Sequence, residues 1–342
     1  MAIAICLRYA PAAQRGGLPP RLSARTGAPA LLMNAYYEHF GLSGPPFGFD
    51  TSSRSIFVGK THREALAALD WGLHYEPSGF TLLVGESGTG KTTLACSLLM
   101  NRYQLVRAAY VANPRLGFDG SLREILRQLG MARPAGYRVA AIEALTSMLW
   151  ALRPGERVVA IIDEAQGMSD SDLEDLRLLS NCGRFDERQL HFVLLGVPEL
   201  QRRLMQPGMR QLSDRIGARA VLHPLDRRDS VAYVAHRLRS LGGDPERIFP
   251  RRTLSCLVDH SGGIPRRINV LCHNAMLMAF AAGTRRVGID QAQAAIGEYL
   301  GPQTKVTPTT ELRGYGPART AHLWLMRLRR KAQIRWSARA QS

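Results

Sequence analysis

Four short apolar runs set the rhythm of the chain: FTLLVG at 80–85, LVRAAYVA at 105–112, RVVAIIDEA at 157–165 and LHFVLLG at 190–196. They are rich in β-branched residues and nearly continuous rather than alternating, which predicts strands of a parallel sheet covered on both faces. Helical stretches such as SLREILRQLG at 121–130 separate them. After HPLDRRDS at 223–230 the strand pattern stops. Val231, Val234, Ala235, Leu238 and Leu241, and then Ile268, Leu271, Cys272, Ala275 and Ala279, keep helical spacing. The pattern predicts an α/β domain over 33–223 and a small all-helical domain over 224–300.

The flanks read differently. Residues 1–32 combine Pro and Gly clusters with arginines and show no periodicity, which predicts a disordered extension; Met33 stands where the pattern begins and is the expected start. Residues 301–342 predict a flexible tail ending in the basic LWLMRLRRKAQIRWSARAQS. That tail has two readings. It is either a solvated extension or a short amphipathic helix that binds an anionic membrane or nucleic-acid surface through Leu323, Trp324, Met326, Leu328 and the neighbouring arginines.

Charge sharpens this division. Of the formal net charge of +17, residues 1–32 carry four units and residues 303–342 carry eight, so residues 33–302 keep five. The basic excess therefore lies mainly on the tails. An apolar fraction of 45% and a charged fraction of 21% exclude a wholly disordered chain. The longest apolar runs, such as NAMLMAFAAG at 274–283, suit a buried helix and not a bilayer span. Cys6, Cys96, Cys182, Cys256 and Cys272 show no metal-ligand spacing, so the expected setting is reduced and cytoplasmic.

Chemistry enters at LLVGESGTGKTT, residues 82–93, where an apolar run stops at a glycine and restarts as a helix after a lysine. Gly85, Gly90, Lys91 and Thr92 fit the phosphate-cradling pattern G-x-x-x-x-G-K-S/T. In such a loop the backbone N–H groups of Gly85, Glu86, Ser87, Gly88, Thr89, Gly90, Lys91, Thr92 and Thr93 converge on phosphate oxygens at a helix N-terminus. Lys91 neutralises the β/γ-phosphates and the Thr92 hydroxyl reaches Mg²⁺. The expected ligands are thus ATP and Mg²⁺. A buried run ending in Asp163 and Glu164 supplies the complement: Asp163 for the metal shell, Glu164 to orient or deprotonate the attacking water. The competing reading of that pair is an acidic cap on the next helix. Charge developing on the transferred phosphoryl calls for arginine, and Arg215 in LSDRIGAR and Arg266 in SGGIPRRIN are the candidates, with Arg219 and Arg267 close by.

The order YYEHFGLSGPPF, GESGTGKTT, IIDEAQ, LRLLSN, LLGVPELQRRL, LSDRI and SGGIPRRINVLC resembles the ExeA/GspA-type AAA+ ATPases of bacterial secretion and exopolysaccharide-export loci. The resemblance runs from about Asn34 to Tyr299. It implies a P-loop NTPase (AAA+) core followed by a helical lid, with Lys91 and Thr92 in Walker A and Asp163 and Glu164 in Walker B. It further implies that Arg215 acts as an arginine finger across a subunit interface and Arg266 as the lid sensor. A homo-oligomer with a shared ATP site, a secretion or envelope-complex partner and a cytoplasmic location, peripheral at the inner membrane, follow from the same resemblance. Members such as ExeA continue into a membrane span and a cell-wall-binding region that these 342 residues do not contain.

One position departs from the family. Relatives carry GQPEL where this chain has Gly196, Val197, Pro198, Glu199 and Leu200, and valine cannot hydrogen-bond a phosphate or a water as glutamine can. Asn181 in LLSNCG is a candidate to supply the missing amide. Two rivals to an export motor stay open: a DNA-dependent ATPase of a transposition-like system, which would exploit the basic tails, and a nucleotide-gated scaffold with little turnover, which Val197 favours.

Overall fold

The computed structural model describes residues 28–48, 56–75, 78–102, 106–131, 138–183 and 189–301. In chain order the elements are α1 (Ala28–His39), α2 (Lys60–His74), β1 (Phe80–Gly85), α3 (Lys91–Arg102), β2 (Val106–Val111), α4 (Gly117–Gln128), α5 (Arg138–Trp150), β3 (Arg157–Ile162), α6 (Asp170–Leu179), β4 (Leu190–Gly196), α7 (Pro198–Leu204), α8 (Arg210–Ser213) and β5 (Ile216–Leu222). Five helices follow: α9 (Arg227–Arg239), α10 (Pro245–Ile248), α11 (Arg251–Ser261), α12 (Pro265–Ala281) and α13 (Ile289–Leu300). Two compact units result: one holds the described residues up to Leu225 from Ile56 onward, the other the residues from Asp226 together with 28–48.

The first unit is a five-stranded sheet in the order β2-β3-β4-β1-β5 with every pairing parallel. Alternate residues of each central strand feed opposite faces. Phe80, Leu82, Val84, Val158, Ala160, Ile162, Phe192 and Leu194 join a core beneath α4–α7. Leu83, Val159, Ile161, Val193 and Leu195 join a second core with Ala65, Leu69, Leu73 and Leu94 of α2 and α3. Each fully buried Leu or Phe contributes about 1.5–3 kcal/mol, so the doubly covered strands anchor the unit. One polar pair interrupts the second face: Thr81 Oγ1 lies 2.9 Å from His191 Nε2, both buried.

The four expected strands are present, and a fifth, β5, was not foreseen. Its burial alternates, with Ile216, Ala218, Ala220 and Leu222 inward and Gly217, Arg219 and Val221 exposed. It is an edge strand and so lacks the continuous apolar run of its neighbours.

The second unit corrects the other end of the chain. Helix α1 begins at Ala28, inside the stretch expected to be disordered and ahead of Met33, and residues 28–48 group with the helical unit and not with the α/β core. The reason is aromatic packing. Tyr36, 1% exposed, makes edge contacts with Phe40, His273 and Phe280, and His39 Nε2 lies 2.8 Å from the Thr284 carbonyl oxygen. The buried Arg237 of α9 donates to the carbonyls of Pro46 and Gly48 at 2.6 Å each, which satisfies a charge that would otherwise be costly to bury. Residues 1–27 and 302–342, including the expected extension and the basic tail, lie outside the described residues. Among the described residues no helix is long and apolar enough to cross a membrane.

Candidate functional site

Strand direction decides where chemistry can sit. In a parallel α/β sheet the loops at the C-terminal ends of the strands line the ligand crevice. Gly85 ends β1, Asp163 and Glu164 follow β3, and Val197 follows β4, which lies between them.

The loop after β1 curls around its lysine. Gly88 and Gly90 take φ of +86° and +102°, values that side-chain-bearing residues rarely adopt. A Cβ at Gly85 would stand 2.5 Å from the Leu222 carbonyl oxygen, so that position admits only hydrogen. Thr89, 1% exposed, donates from Oγ1 to the Glu86 carbonyl at 2.8 Å and braces the turn, while Glu86 and Ser87 face solvent. Lys91 is 5% exposed and its Nζ donates to the carbonyls of Gly85 (2.8 Å) and Glu86 (3.1 Å). Thr92 and Thr93 occupy the first turn of α3. A buried ammonium inside a loop of backbone amides at a helix N-terminus suits a polyphosphate.

Asp163 joins this loop to β3. Thr92 Oγ1 donates to Asp163 Oδ2 at 2.5 Å, and the Tyr110 hydroxyl donates to the same oxygen at 2.7 Å. Thr92 and Asp163 present hydroxyl and carboxylate oxygens, the hard donor set that suits Mg²⁺. Tyr110 was missed by the sequence reading. The only signal was a phenol one residue before the end of a strand. Tyr110 is itself pinned: its N–H and C=O both pair with the Gln128 side-chain amide at 2.7 Å.

Glu164 is exposed and has φ 51°, the single non-glycine with positive φ among the described residues. Its N–H donates to Asp163 Oδ1 at 2.9 Å. The acidic-cap alternative fails, because α6 is capped by Ser169, which accepts from the Asp172 N–H in a capping box. Gln166, quoted in IIDEAQ without a role, donates from Nε2 to Glu164 Oε2 at 2.5 Å.

Three other expectations divide. Asn181 does not approach the loop: Ser180 lies against Gly79, which precedes β1, so Asn181 sits at the N-terminal edge of the sheet. Ten residues of α6 carry the chain about 15 Å back across the sheet, which removes Asn181 as the missing amide. Arg215 also lies at that edge, since the next residue, Ile216, pairs with Phe80 at the start of β1; a six-residue strand separates it from the loop of its own chain by about 17–20 Å. One of its guanidinium nitrogens, Nη1, is buried without a hydrogen-bond partner. Arg219 is engaged at the same edge, donating to the Ser213 carbonyl and hydroxyl. Arg266 and Arg267 belong to the helical unit and are exposed in the first turn of α12 behind Pro265.

Comparison with known proteins bears on the family and the fold. A family model described as an AAA domain matches residues 74–204. The general secretion pathway protein A of Aeromonas hydrophila is 41% identical over 254 residues, covering 74% of this chain; the chain spans 46% of that protein, about half its length. Among solved structures the Aeropyrum pernix ORC2 protein superposes with TM-score 0.59 at 22% identity, over 73% of this chain and 70% of the other. Cdc6p from Pyrobaculum aerophilum does so with TM-score 0.58 at 19% identity, over 74% and 73%. At such identities the structural matches speak to fold alone, and they agree on an α/β P-loop sheet flanked by helices with a helical unit after it. By its phosphate loop, its sheet and its secretion-pathway relative, the chain belongs to the ExeA/GspA-type AAA+ ATPases.

Proposed function

We propose that this chain binds Mg·ATP at the edge formed by β1, β4 and β3, hydrolyses it, and uses the cycle to drive or regulate assembly of a bacterial secretion or envelope-export system. The observation that supports this most is the Thr92–Asp163 contact of 2.5 Å, which unites two oxygen ligands from separate elements beside the buried Lys91 ammonium. Thr92 and Asp163 are the residues to hold magnesium, which when bound neutralises charge on the β- and γ-phosphates. Lys91 exchanges its two carbonyl partners for phosphate oxygens. Glu164 orients the attacking water and accepts its proton, as a carboxylate one hydrogen bond away can. Arg215, remote from the loop of its own chain, completes the site of a neighbouring subunit in a homo-oligomer. Arg266 is the sensor residue of the helical unit. The export context rests on the relation to general secretion pathway protein A.

Steady-state phosphate release by the full chain with Mg·ATP, with and without duplex DNA over a salt series, tests the reading. Expected is turnover indifferent to DNA and lost in Lys91→Ala and Glu164→Gln. Lys91→Ala should also lose the ligand-induced stabilisation, about 2.7 kcal/mol at 100 times the Kd. DNA stimulation that fades with salt would replace the export reading with a nucleic-acid-dependent one. ATP binding with no turnover under any condition would make the chain a nucleotide-gated scaffold.

A further inference from the structure

Glu164 does not hold its position by itself. A left-handed backbone at a non-glycine residue is strained and persists only where its surroundings enforce it. Here the enforcement centres on Gln166. Its amide N–H donates to Glu164 Oε2 at 2.5 Å, and its amide oxygen accepts from the Val197 backbone N–H at 3.4 Å. Its backbone carbonyl accepts from Arg203 Nη1 at 3.2 Å, and Arg203 also donates to Asp170 at 2.6 Å. The approach to β4 is close: a Cβ at Gly196 would stand 3.0 Å from Gln166 Oε1. A single side-chain amide thus spans from the turn after β3 to the turn after β4.

We infer that Gln166 is the positioning residue for Glu164, fixing the direction of its carboxylate and tying it to the end of β4. The inference rests on the proposed role of Glu164 toward water. The amide meets the end of β4 at the Val197 backbone N–H, so the contact does not depend on the side chain at that position. One Glu164 oxygen is engaged by Gln166, which leaves the other for the water. A carboxylate released from this bond would sample several rotamers, and misplacement of a base by about 1 Å can cost roughly a hundredfold in rate.

The test compares single-turnover and steady-state ATP hydrolysis by the full chain for wild type, Gln166→Leu, Gln166→Glu, Glu164→Gln and the Glu164→Gln/Gln166→Leu pair, with melting temperatures alongside. Expected is a ten- to hundredfold fall in kcat for Gln166→Leu with KM within twofold. Gln166→Glu, which keeps an acceptor for Val197 but sets a like charge against Glu164, should fall at least as far. In the Glu164→Gln background Gln166→Leu should add less than twofold, because groups acting as a unit are not additive. A kcat for a folded Gln166→Leu within twofold of wild type, or an undiminished loss in the Glu164→Gln background, would overturn the inference while leaving the role of Glu164 intact. If Gln166→Leu melts below the assay temperature, Gln166→Glu carries the same decision. Wild-type turnover in Glu164→Gln, or none in wild type, would overturn the reading of Glu164 and this inference with it.

Discussion

The two edges of the central sheet hold different kinds of polar group. At the C-terminal edge side chains from different elements are linked to one another: Thr92 and Tyr110 converge on Asp163, and Gln166 joins Glu164 to Val197. At the N-terminal edge Arg215 leaves one buried nitrogen unpaired, and Asn181 faces solvent. Between them, in the first half of β4, His191 is sealed against Thr81. Strand direction thus separates side chains tied to one another across elements from a sealed interior pair and a guanidinium left partly unpaired. Together with the proposed function, the contrast predicts that changes at either edge alter turnover while changes in the sheet interior alter stability.

The largest test of that contrast is Arg215→Ala. It should preserve ATP binding yet lose turnover by on the order of a thousandfold, the scale of an arginine finger. Mixing it with Lys91→Ala protein should restore part of the activity, since each supplies the intact half of a shared site. An absence of rescue would assign Arg215 to structure.

Acid provides the next. Burial, aided by the positive charge of Arg157, lowers the His191 pKa from 6.5 to about 3. Between those values the unfolded chain binds a proton that the folded one refuses, so stability is intact above pH 6.5 and declines as pH falls toward 3, by about 2 kcal/mol at pH 5. Urea denaturation at pH 7 and pH 5 measures this, and His191→Gln, which still reaches Thr81, should flatten the slope. An equal slope in that variant would place the titration elsewhere.

The smallest effect returns to the first edge. Tyr110→Phe removes one of the two hydroxyls on Asp163 Oδ2 and should raise the magnesium concentration needed for turnover about tenfold, as loss of an outer-shell partner does, with melting temperature unchanged. A lowered melting temperature with unchanged magnesium dependence would make Tyr110 a packing residue.

How much of this was legible follows from the physics of each element. β1 and β4 are buried on both faces and so announce themselves as apolar runs, with limits that match the structure at Phe80–Gly85 and Leu190–Gly196. β5, exposed along one side, carries Gly217 and Arg219 in its middle and gives no such signal. The loop at Gly85–Thr93 was legible because its backbone demands glycine. Tyr110 and Gln166 were not, because their roles depend on which strands flank β3, β2 on one side and β4 on the other, which no local pattern encodes. YYEHFGLSGPPF was read with the domain next to it in sequence. Its aromatic partners lie more than two hundred residues away, beyond the reach of periodicity.

That last segment has a topological consequence. With 28–48 belonging to the helical unit, the α/β unit is an insertion inside it, entered after Gly48 and left after Leu225. A fragment starting at residue 49 would therefore keep the whole nucleotide loop yet strip the guanidinium of Arg237 of both its carbonyl acceptors and open the apolar seat of Tyr36. Trimming the front of this chain thus damages its back.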